Sequence, residues 1–298
     1  MLNFNLRSFC NWRSLLMSAV TCATIVIWAA MNIPSLALGA QFMPIKPRLG
    51  ETIVVTVLAS PGKTVTPVIK LGDKSYPAFP LSAGKFRAMI PTTPLEKPGE
   101  REVKITENTE TTSLKVAVAN RQFKLQYINL PPGKSGNDAT EMELKQVAAF
   151  KTTISPSKLW NGKFIAPNKG RTSSPYGVRR KYNGKLAEDY YHRGLDYAGG
   201  YGSAVVAPAG GEVVLVGYEK DGFKVHGNVV GVDHGQGLVS IFMHLSKITV
   251  EAGDRLAPGD QIGAIGTTGA STGPHLHWGL YVNGTSIDPV QWLQTAVE

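Results

Sequence analysis

The sequence has little cysteine: Cys10 and Cys22 are the only two among 298 residues, and both lie near the N-terminus. The remaining chain cannot form a disulfide, so packing or a bound metal must stabilise it. At the usual ~150 residues per domain, the length predicts about two domains.

Charged residues are also sparse, at 18% of the chain beside 43% hydrophobic residues, 32 glycines and 19 prolines. These proportions exclude a disordered chain and a multi-span membrane protein, and they favour a globular protein with many turns. The 31 basic residues exceed the 22 acidic ones and give a net charge of +9. They are scattered rather than clustered among aromatic residues, so we expect no nucleic-acid partner.

An N-terminal segment lacks charge altogether, since Leu15 to Leu38 contains no ionisable group apart from one cysteine thiol. Arg7 and Arg13 precede it, and small residues follow up to Ala40, which is the layout of a secretory signal. The uninterrupted apolar run has 17 residues and falls a little short of a ~30 Å bilayer core, so a retained anchor is the alternative. We expect residues 1–40 to be a signal peptide, and the protein to be exported to the periplasm or cell wall without membrane contact unless this segment is retained.

Residues 41–131 repeat short β-type runs about every ten residues, separated by turn formers such as Pro61-Gly62 and Pro98-Gly99. This spacing predicts a β-sandwich-like accessory domain. No ionisable cluster typical of catalysis occurs in it, so we interpret it as a binding or spacer module. The predicted strands are Thr52 to Leu58, Thr66 to Leu71, Lys85 to Ile90, Arg101 to Thr106, Thr112 to Val118 and Gln122 to Ile128.

Residues 132–165 are predicted to be a connector with one helix over about 139–151, with Asp138 as its N-cap and Glu141 three residues later. Residues 166–298 are again glycine-rich and β-type, and all six histidines fall there. A terminal helix is expected after Asp288-Pro289. The predicted strands are Gly211 to Tyr218, Asn228 to Asp233, Leu238 to Met243 and His275 to Val282.

Three sequence patterns are candidates for metal chemistry. His192 and Asp196 are four residues apart in a glycine-rich stretch, so the chain must bend near Gly194 to bring them together; an unrelated surface pair is the alternative. His275 and His277 alternate with apolar residues, and on a strand both rings point to one face, which suits a metal site. A third histidine, His244, interrupts an apolar strand, where a core histidine is the simpler interpretation.

The order and context of these patterns resemble the lysostaphin/LytM-type zinc endopeptidases that cut the peptides of bacterial peptidoglycan. The resemblance covers about Pro167 to Leu293. Its motifs are Ser174-Pro175-Tyr176-Gly177-Val178-Arg179-Arg180, His192-Arg193-Gly194-Leu195-Asp196, Ala207-Pro208-Ala209-Gly210-Gly211, Asp233-His234-Gly235, Met243-His244-Leu245-Ser246, and Gly266-Thr267-Thr268-Gly269 leading to Ser271-Thr272-Gly273-Pro274-His275-Leu276-His277.

The resemblance implies that His192, Asp196 and His277 bind Zn²⁺ and that His244 and His275 are catalytic. It also implies an antiparallel β catalytic domain over residues 166–298 and peptidoglycan stem peptides as the substrate. Two histidines and a carboxylate leave zinc a fourth position for water, as in hydrolytic sites. No His-Glu-x-x-His pattern occurs, so the base is expected to be histidine. A non-hydrolytic wall-binding protein, or an activator of a wall amidase, is the first alternative function, and a plain adhesion or scaffold protein is the second.

The two remaining histidines, His226 and His234, match no site position of that family. We expect His234 to lie in a hairpin turn with its ring solvated.

Overall fold

A computed structural model describes residues 39–59, 65–82, 84–129 and 139–297. The predicted signal segment lies outside these ranges except for its last two residues, and Asp138 lies outside them too. Within the described ranges, no helix combines the length and apolar character that a membrane span requires.

The described part of the chain up to residue 151 contains nine strands and one α-helix. In chain order they are β1 (Gly39–Met43), β2 (Thr52–Leu58), β3 (Val68–Leu71), β4 (Lys74–Tyr76), β5 (Ala78–Ser82), β6 (Lys85–Pro91), β7 (Gly99–Glu107), β8 (Glu110–Val118), β9 (Leu125–Ile128) and α1 (Glu141–Lys151).

The described residues after 151 contain twelve strands, one α-helix and a short 3₁₀ turn at Glu219–Asp221. In chain order the strands and helix are β10 (Arg171–Ser174), β11 (Arg179–Tyr182), β12 (Lys185–Leu186), β13 (Leu195–Ala198), β14 (Ala204–Val206), β15 (Gly211–Gly217), β16 (Asn228–Gly235), β17 (Leu238–Ile248), β18 (Arg255–Leu256), β19 (Gln261–Ile265), β20 (Leu276–Val282), β21 (Thr285–Ile287) and α2 (Pro289–Gln294).

Two four-stranded antiparallel sheets form the first half, in the orders β1-β2-β6-β5 and β4-β3-β7-β8. Inward-facing residues of both sheets share one core, in which Ile53 and Ile90 of the first sheet meet Ile69 and Ile105 of the second. Alternate residues of half-buried strands point to the same face, so each sheet covers one side of that core. The predicted sandwich-like fold is confirmed.

The last predicted strand of the first half belongs to a different sheet. Residues Leu125–Ile128 pair in parallel with β11, and β12 completes a three-stranded sheet. Placing this run in the sandwich was therefore wrong, because strand periodicity indicates that a segment is extended and does not specify its neighbour. The short strands β4 and β5 were not predicted.

The connector helix begins later than predicted. Thr140 is its N-cap, and the Thr140 hydroxyl accepts a hydrogen bond from the Glu143 backbone N–H while the Glu143 carboxylate accepts one from the Thr140 N–H. This reciprocal pair is a capping box. The predicted start with Glu141 three residues after an Asp138 cap was wrong, because Thr140 and Glu143 carry the same spacing signature two residues further along.

A ten-stranded antiparallel sheet forms most of the second half, and its central order is β13-β20-β17-β16-β15. Leu276, Trp278 and Leu280 of β20 are completely buried in its core, as is Trp292 of α2. As predicted, Asp288 caps α2 and Pro289 is its first residue. The antiparallel β architecture predicted for this half is confirmed.

The sandwich packs against this larger sheet through β2 and β6. Gln291 of α2 donates a hydrogen bond to the Thr52 carbonyl and accepts one from the Thr52 N–H. Asn283 donates to the Met89 carbonyl at 2.9 Å. The buried Arg87 guanidinium donates to Gln236 and lies 4.7 Å from the Trp160 ring. The two halves are therefore joined by polar contacts as well as by apolar packing.

Candidate metal and catalytic site

Three adjacent strands bring the candidate site residues into one row. In the strand register, Asp196 of β13 is opposite His277 of β20, and His277 is opposite Met243 of β17. Residues directly opposite each other on neighbouring antiparallel strands have close side chains. His244 follows Met243 on β17, so the sheet places three of the five predicted site residues, and a fourth, His192, lies just before β13.

The three predicted metal ligands form a tight triangle. His192 Nε2 lies 3.0 Å from Asp196 Oδ1 and 3.1 Å from His277 Nδ1, and His277 Nδ1 lies 2.9 Å from Asp196 Oδ1. His192 and His277 are buried. Two imidazole nitrogens thus point at one carboxylate oxygen in a site largely removed from water.

The bend predicted near Gly194 is explained by close contact between strands. A side-chain carbon added at Gly194 would lie 2.4 Å from the Trp278 carbonyl oxygen and 2.8 Å from His277 Nε2. Such distances are far below van der Waals contact, so only glycine lets the chain pass from His192 into β13 this close to β20.

The segment at residues 175–178 fixes the orientation of His192. Its Nδ1 lies 2.8 Å from the Pro175 carbonyl oxygen. The His192 backbone donates to the Val178 carbonyl and accepts from the Gly177 N–H. Because a ring whose Nδ1–H donates to a carbonyl has its lone pair on Nε2, the nitrogen facing Asp196 is the one able to bind a metal.

Burial and hydrogen bonding set the protonation of this cluster. Burial disfavours the charged form of Asp196, but the adjacent His192 and His277 rings outweigh it and hold the pKa of the carboxyl well below its usual range. Burial also lowers the pKa of His277, although Asp196 opposes that shift. Asp196 is therefore an anionic carboxylate beside a His277 ring whose neutral form is favoured, and these are the forms that bind metal ions.

The types of donor and their spacing fit a zinc ion. Zinc bonds to histidine nitrogen and carboxylate oxygen at roughly 2.0–2.2 Å, which places the ligand atoms of a tetrahedral site roughly 3.3 Å apart. The three spacings of 2.9–3.1 Å are close to that value. The donation from His192 to Pro175 is the outer contact that metal-bound histidines usually make.

His244 has an unusual backbone conformation, with φ at +63°. It lies where β17 changes partner, because the pairing with β20 ends at Met243 and the pairing with β19 begins at Leu245. Left-handed backbone at a residue other than glycine is uncommon and clusters at functional sites. This bulge turns the His244 ring toward the cluster.

The ring of His244 lies beside both His275 and His277, with centroid distances of 4.8 and 6.5 Å. Its Nδ1 is 2.9 Å from the Thr268 carbonyl oxygen, which leaves Nε2 as a proton acceptor. Burial, then the nearby His277, lowers the pKa of His244 to about 3. The ring is therefore neutral at pH 7, with its lone pair on Nε2.

His275 immediately precedes β20, and its Nδ1 lies 2.9 Å from the Gly273 carbonyl oxygen and 3.2 Å from Ser271 Oγ. The glycine-rich loop that ends in His275 therefore positions this ring as well as bordering the site. All five predicted site residues are brought together.

The two histidines left out of the predicted site lie outside the cluster. His226 Nδ1 contacts Glu143 at 2.6 Å. The expectation that His234 is solvated was wrong, since its ring is completely buried between the Gly210 carbonyl and Ser240 Oγ. The tight turn of the β16–β17 hairpin is at Gln236 and Gly237, both with positive φ, so His234 belongs to the buried strand before it.

Two contributors to the site were not predicted. The carbonyls of Pro175 and Thr268 orient His192 and His244. Backbone acceptors carry no residue-type signal, so only the fold reveals them.

Comparison with known proteins agrees with this geometry. Residues 190–289 match peptidase family M23. The peptidoglycan DD-endopeptidase ShyA of Vibrio cholerae is 33% identical over 131 residues, 43% of this chain and 29% of that protein. A candidate M23 peptidase structure from Pseudomonas aeruginosa is 29% identical and covers 83% of this chain and 95% of its own, with a TM-score of 0.62.

The catalytic domain of lysostaphin from Staphylococcus simulans is 32% identical over 42% of this chain and 93% of that domain, with a TM-score of 0.36. The chain matches only about a quarter to a third of the length of the curated relatives. The comparisons confirm the resemblance found in the sequence.

Proposed function

The chain belongs to peptidase family M23, the lysostaphin/LytM type, and from that membership we propose that it is a zinc-dependent endopeptidase that hydrolyses peptide cross-links of bacterial peptidoglycan. The observation that carries the proposal is the triangle of His192, Asp196 and His277 with two further histidine rings beside it. A structural zinc site would have four protein ligands, whereas three leave a position open for reaction.

In this proposal each residue has a defined task. His192 Nε2, Asp196 Oδ1 and His277 Nδ1 would hold the zinc ion. A zinc ion held there would supply Lewis-acid chemistry, lowering the pKa of a water molecule toward ~7 and polarising the scissile carbonyl. His244 accepts a proton at Nε2, because its Nδ1–H is committed to the Thr268 carbonyl. His275, whose ring centroid is 4.8 Å from that of His244, stabilises the oxyanion or moves a second proton.

The wider organisation of the chain is part of the same proposal. Cleavage near Ala40 would release an exported protein to the periplasm or cell wall, where its substrate is found. Residues 41–131, apart from the strand Leu125–Ile128, act as the accessory region, residues 132–165 as the connector and residues 166–298 as the catalytic region.

The test is digestion of purified peptidoglycan with and without a chelator. We expect cross-linked muropeptides to become monomers with intact glycan strands, and we expect chelation to stop this. His244→Ala should retain zinc and lose roughly 10²- to 10⁴-fold in turnover, the usual range for a general base or an oxyanion donor. Cleaved sugar bonds would exclude an endopeptidase, and wall binding without cleavage would favour the non-hydrolytic alternative.

A further inference from the structure

A buried carboxylate outside the metal cluster has no role in the mechanism above. Glu143 lies on α1 and its side chain is completely buried. It accepts hydrogen bonds from three successive backbone N–H groups, those of Lys224, Val225 and His226, at 2.7–3.0 Å. His226 Nδ1 adds a contact of 2.6 Å, and the Thr140 N–H adds one of 3.3 Å.

Burying an isolated carboxylate is costly, and it persists only when hydrogen bonds replace the lost water. Burial alone would raise the pKa of Glu143, but the hydrogen bonds from His226 and Val225 outweigh it and lower the pKa. Glu143 is therefore an anion at neutral pH. A turn of three converging N–H groups is an anion-binding shape, and here a side chain of the same protein fills it.

This turn, residues 224–227, also forms hydrogen bonds with two backbone segments, one at His244 and one at Ala270. The His226 carbonyl accepts the N–H of His244 at 3.0 Å, at the residue whose φ is +63°. The Val225 carbonyl accepts the N–H of Ala270 at 3.0 Å. The loop containing Ala270 also supplies the Thr268 carbonyl that accepts from the His244 ring.

Gly227 allows the turn to approach that loop. A side-chain carbon at Gly227 would lie 2.5 Å from Thr268, and Asn228 N donates to Thr268 Oγ1 at 2.9 Å. His244 is thus held at its N–H by the 224–227 turn and at its ring by a loop that packs on the same turn. A strained residue persists only where its surroundings hold it.

We propose that Glu143 is a positioning residue for His244, which it holds in its left-handed conformation through the 224–227 turn. This inference rests on the proposed function only in its kinetic test, which requires the protein to cleave peptidoglycan. It assigns the connector helix a part in the active site, although the sequence alone places that helix between two domains.

Glu143→Gln is the first test, because the amide keeps the size of the side chain but places an NH₂ group against N–H donors. We expect kcat on a purified cross-linked muropeptide dimer to fall about 10- to 100-fold, the usual range for loss of an outer supporting contact. KM and zinc content should stay within about twofold. Glu141→Gln is the matched control: it is an exposed acid in the first turn of the same helix and should behave like the unmodified protein.

A second readout needs no substrate. In ¹⁵N-labelled zinc-loaded protein, the His244 Nδ1–H signal should be protected from solvent exchange, and Glu143→Gln should broaden or shift it while Glu141→Gln leaves it in place. If Glu143→Gln does not fold, Glu143→Asp keeps the charge but is too short to reach all three N–H groups, and the same losses are expected in it.

A folded Glu143 variant with unchanged kcat and an unchanged His244 signal would overturn the proposal. A fall in zinc content or a rise in KM, with kcat preserved, would assign Glu143 a general structural role instead. If the unmodified protein does not cleave peptidoglycan, the proposed function fails, but the His244 signal still decides whether Glu143 positions that ring.

Discussion

His277 is one corner of the predicted metal cluster, and its Nδ1 lies 2.9 Å from Asp196 Oδ1 and 3.1 Å from His192 Nε2. We expect about one zinc ion per chain in the unmodified protein and almost none in His277→Ala, because two remaining ligands do not form a zinc site. Elemental analysis measures this. His275→Ala, which changes a neighbouring histidine outside the triangle, is the control and should keep its zinc; full zinc in His277→Ala would contradict the ligand assignment.

The buried His234 makes stability depend on pH. Burial lowers its pKa from 6.5 to about 4. As the pH falls from 6.5 to 4, the unfolded chain binds a proton at this residue that the native state does not, so the free energy of unfolding decreases, by up to ~3 kcal/mol in total. Below pH 4 both states are protonated and this contribution stops changing.

Urea unfolding at several pH values tests this dependence. His234→Gln cannot titrate, so its free energy of unfolding should fall less steeply between pH 6.5 and 4, by up to ~1.4 kcal/mol per pH unit. The two proteins share all other titrating groups, which makes the difference in slope specific to His234. Parallel curves would mean that the ring is not held neutral.

At the scale of single residues, the sequence predicted which side chains lie together better than it predicted which groups surround each of them. The five predicted site residues do lie together in the structure, because the spacing and motif context that predicted them depend on side chains. The burial of His234 and the role of Glu143 were missed, because both depend on which backbone groups a neighbouring segment presents. The one available signal, the capping-box spacing from Thr140 to Glu143, indicates a helix start and does not reveal the turn that Glu143 binds.

Among the structural elements, the close approach of β13 to β20 determines the shape of the cluster. Gly194→Ala would place a carbon 2.4 Å from the Trp278 carbonyl oxygen, which must push the strands apart. We expect a loss of about 1–3 kcal/mol in the free energy of unfolding and a zinc affinity about 10- to 100-fold weaker. Urea unfolding and a competitive zinc titration measure the two effects.

Gly200→Ala is the matched control, because a carbon at Gly200 meets nothing within 4 Å. It should change neither quantity appreciably. Normal zinc affinity in Gly194→Ala would show that the spacing of these two strands does not control the metal site.

Element boundaries were predictable where side-chain pattern decides them. The strand Thr52 to Leu58 and the cap of α2 by Asp288 agree with the structure. The start of α1 was misplaced because two capping patterns overlap there: Asp138 with Glu141, and Thr140 with Glu143. The parallel pairing of β9 with β11 was missed because strand neighbours are set by tertiary packing.

At the scale of the whole molecule, three of the polar contacts that join the sandwich to the larger sheet lie away from the predicted metal cluster. Asn283, which contacts Met89 of the sandwich, lies just past the end of β20. It is six residues beyond His277, or about 20 Å at the ~3.3 Å rise of a strand. The contacts of Gln291 and Arg87 join the same two sandwich strands. We therefore expect these three contacts to contribute to stability rather than to chemistry.

Gln291→Ala tests whether the contacts of the sandwich affect stability without affecting catalysis. The substitution leaves the N–H and carbonyl of Thr52, a completely buried residue, without their bonds to Gln291. We expect the free energy of unfolding to fall by about 1–3 kcal/mol, the cost of unsatisfied buried polar groups. Zinc content and kcat on a muropeptide dimer, measured well below the melting temperature, should stay within about twofold. Gln294→Ala, in the same helix and exposed, should leave stability unchanged. A large fall in kcat of folded Gln291→Ala would show that sandwich docking does reach the active site.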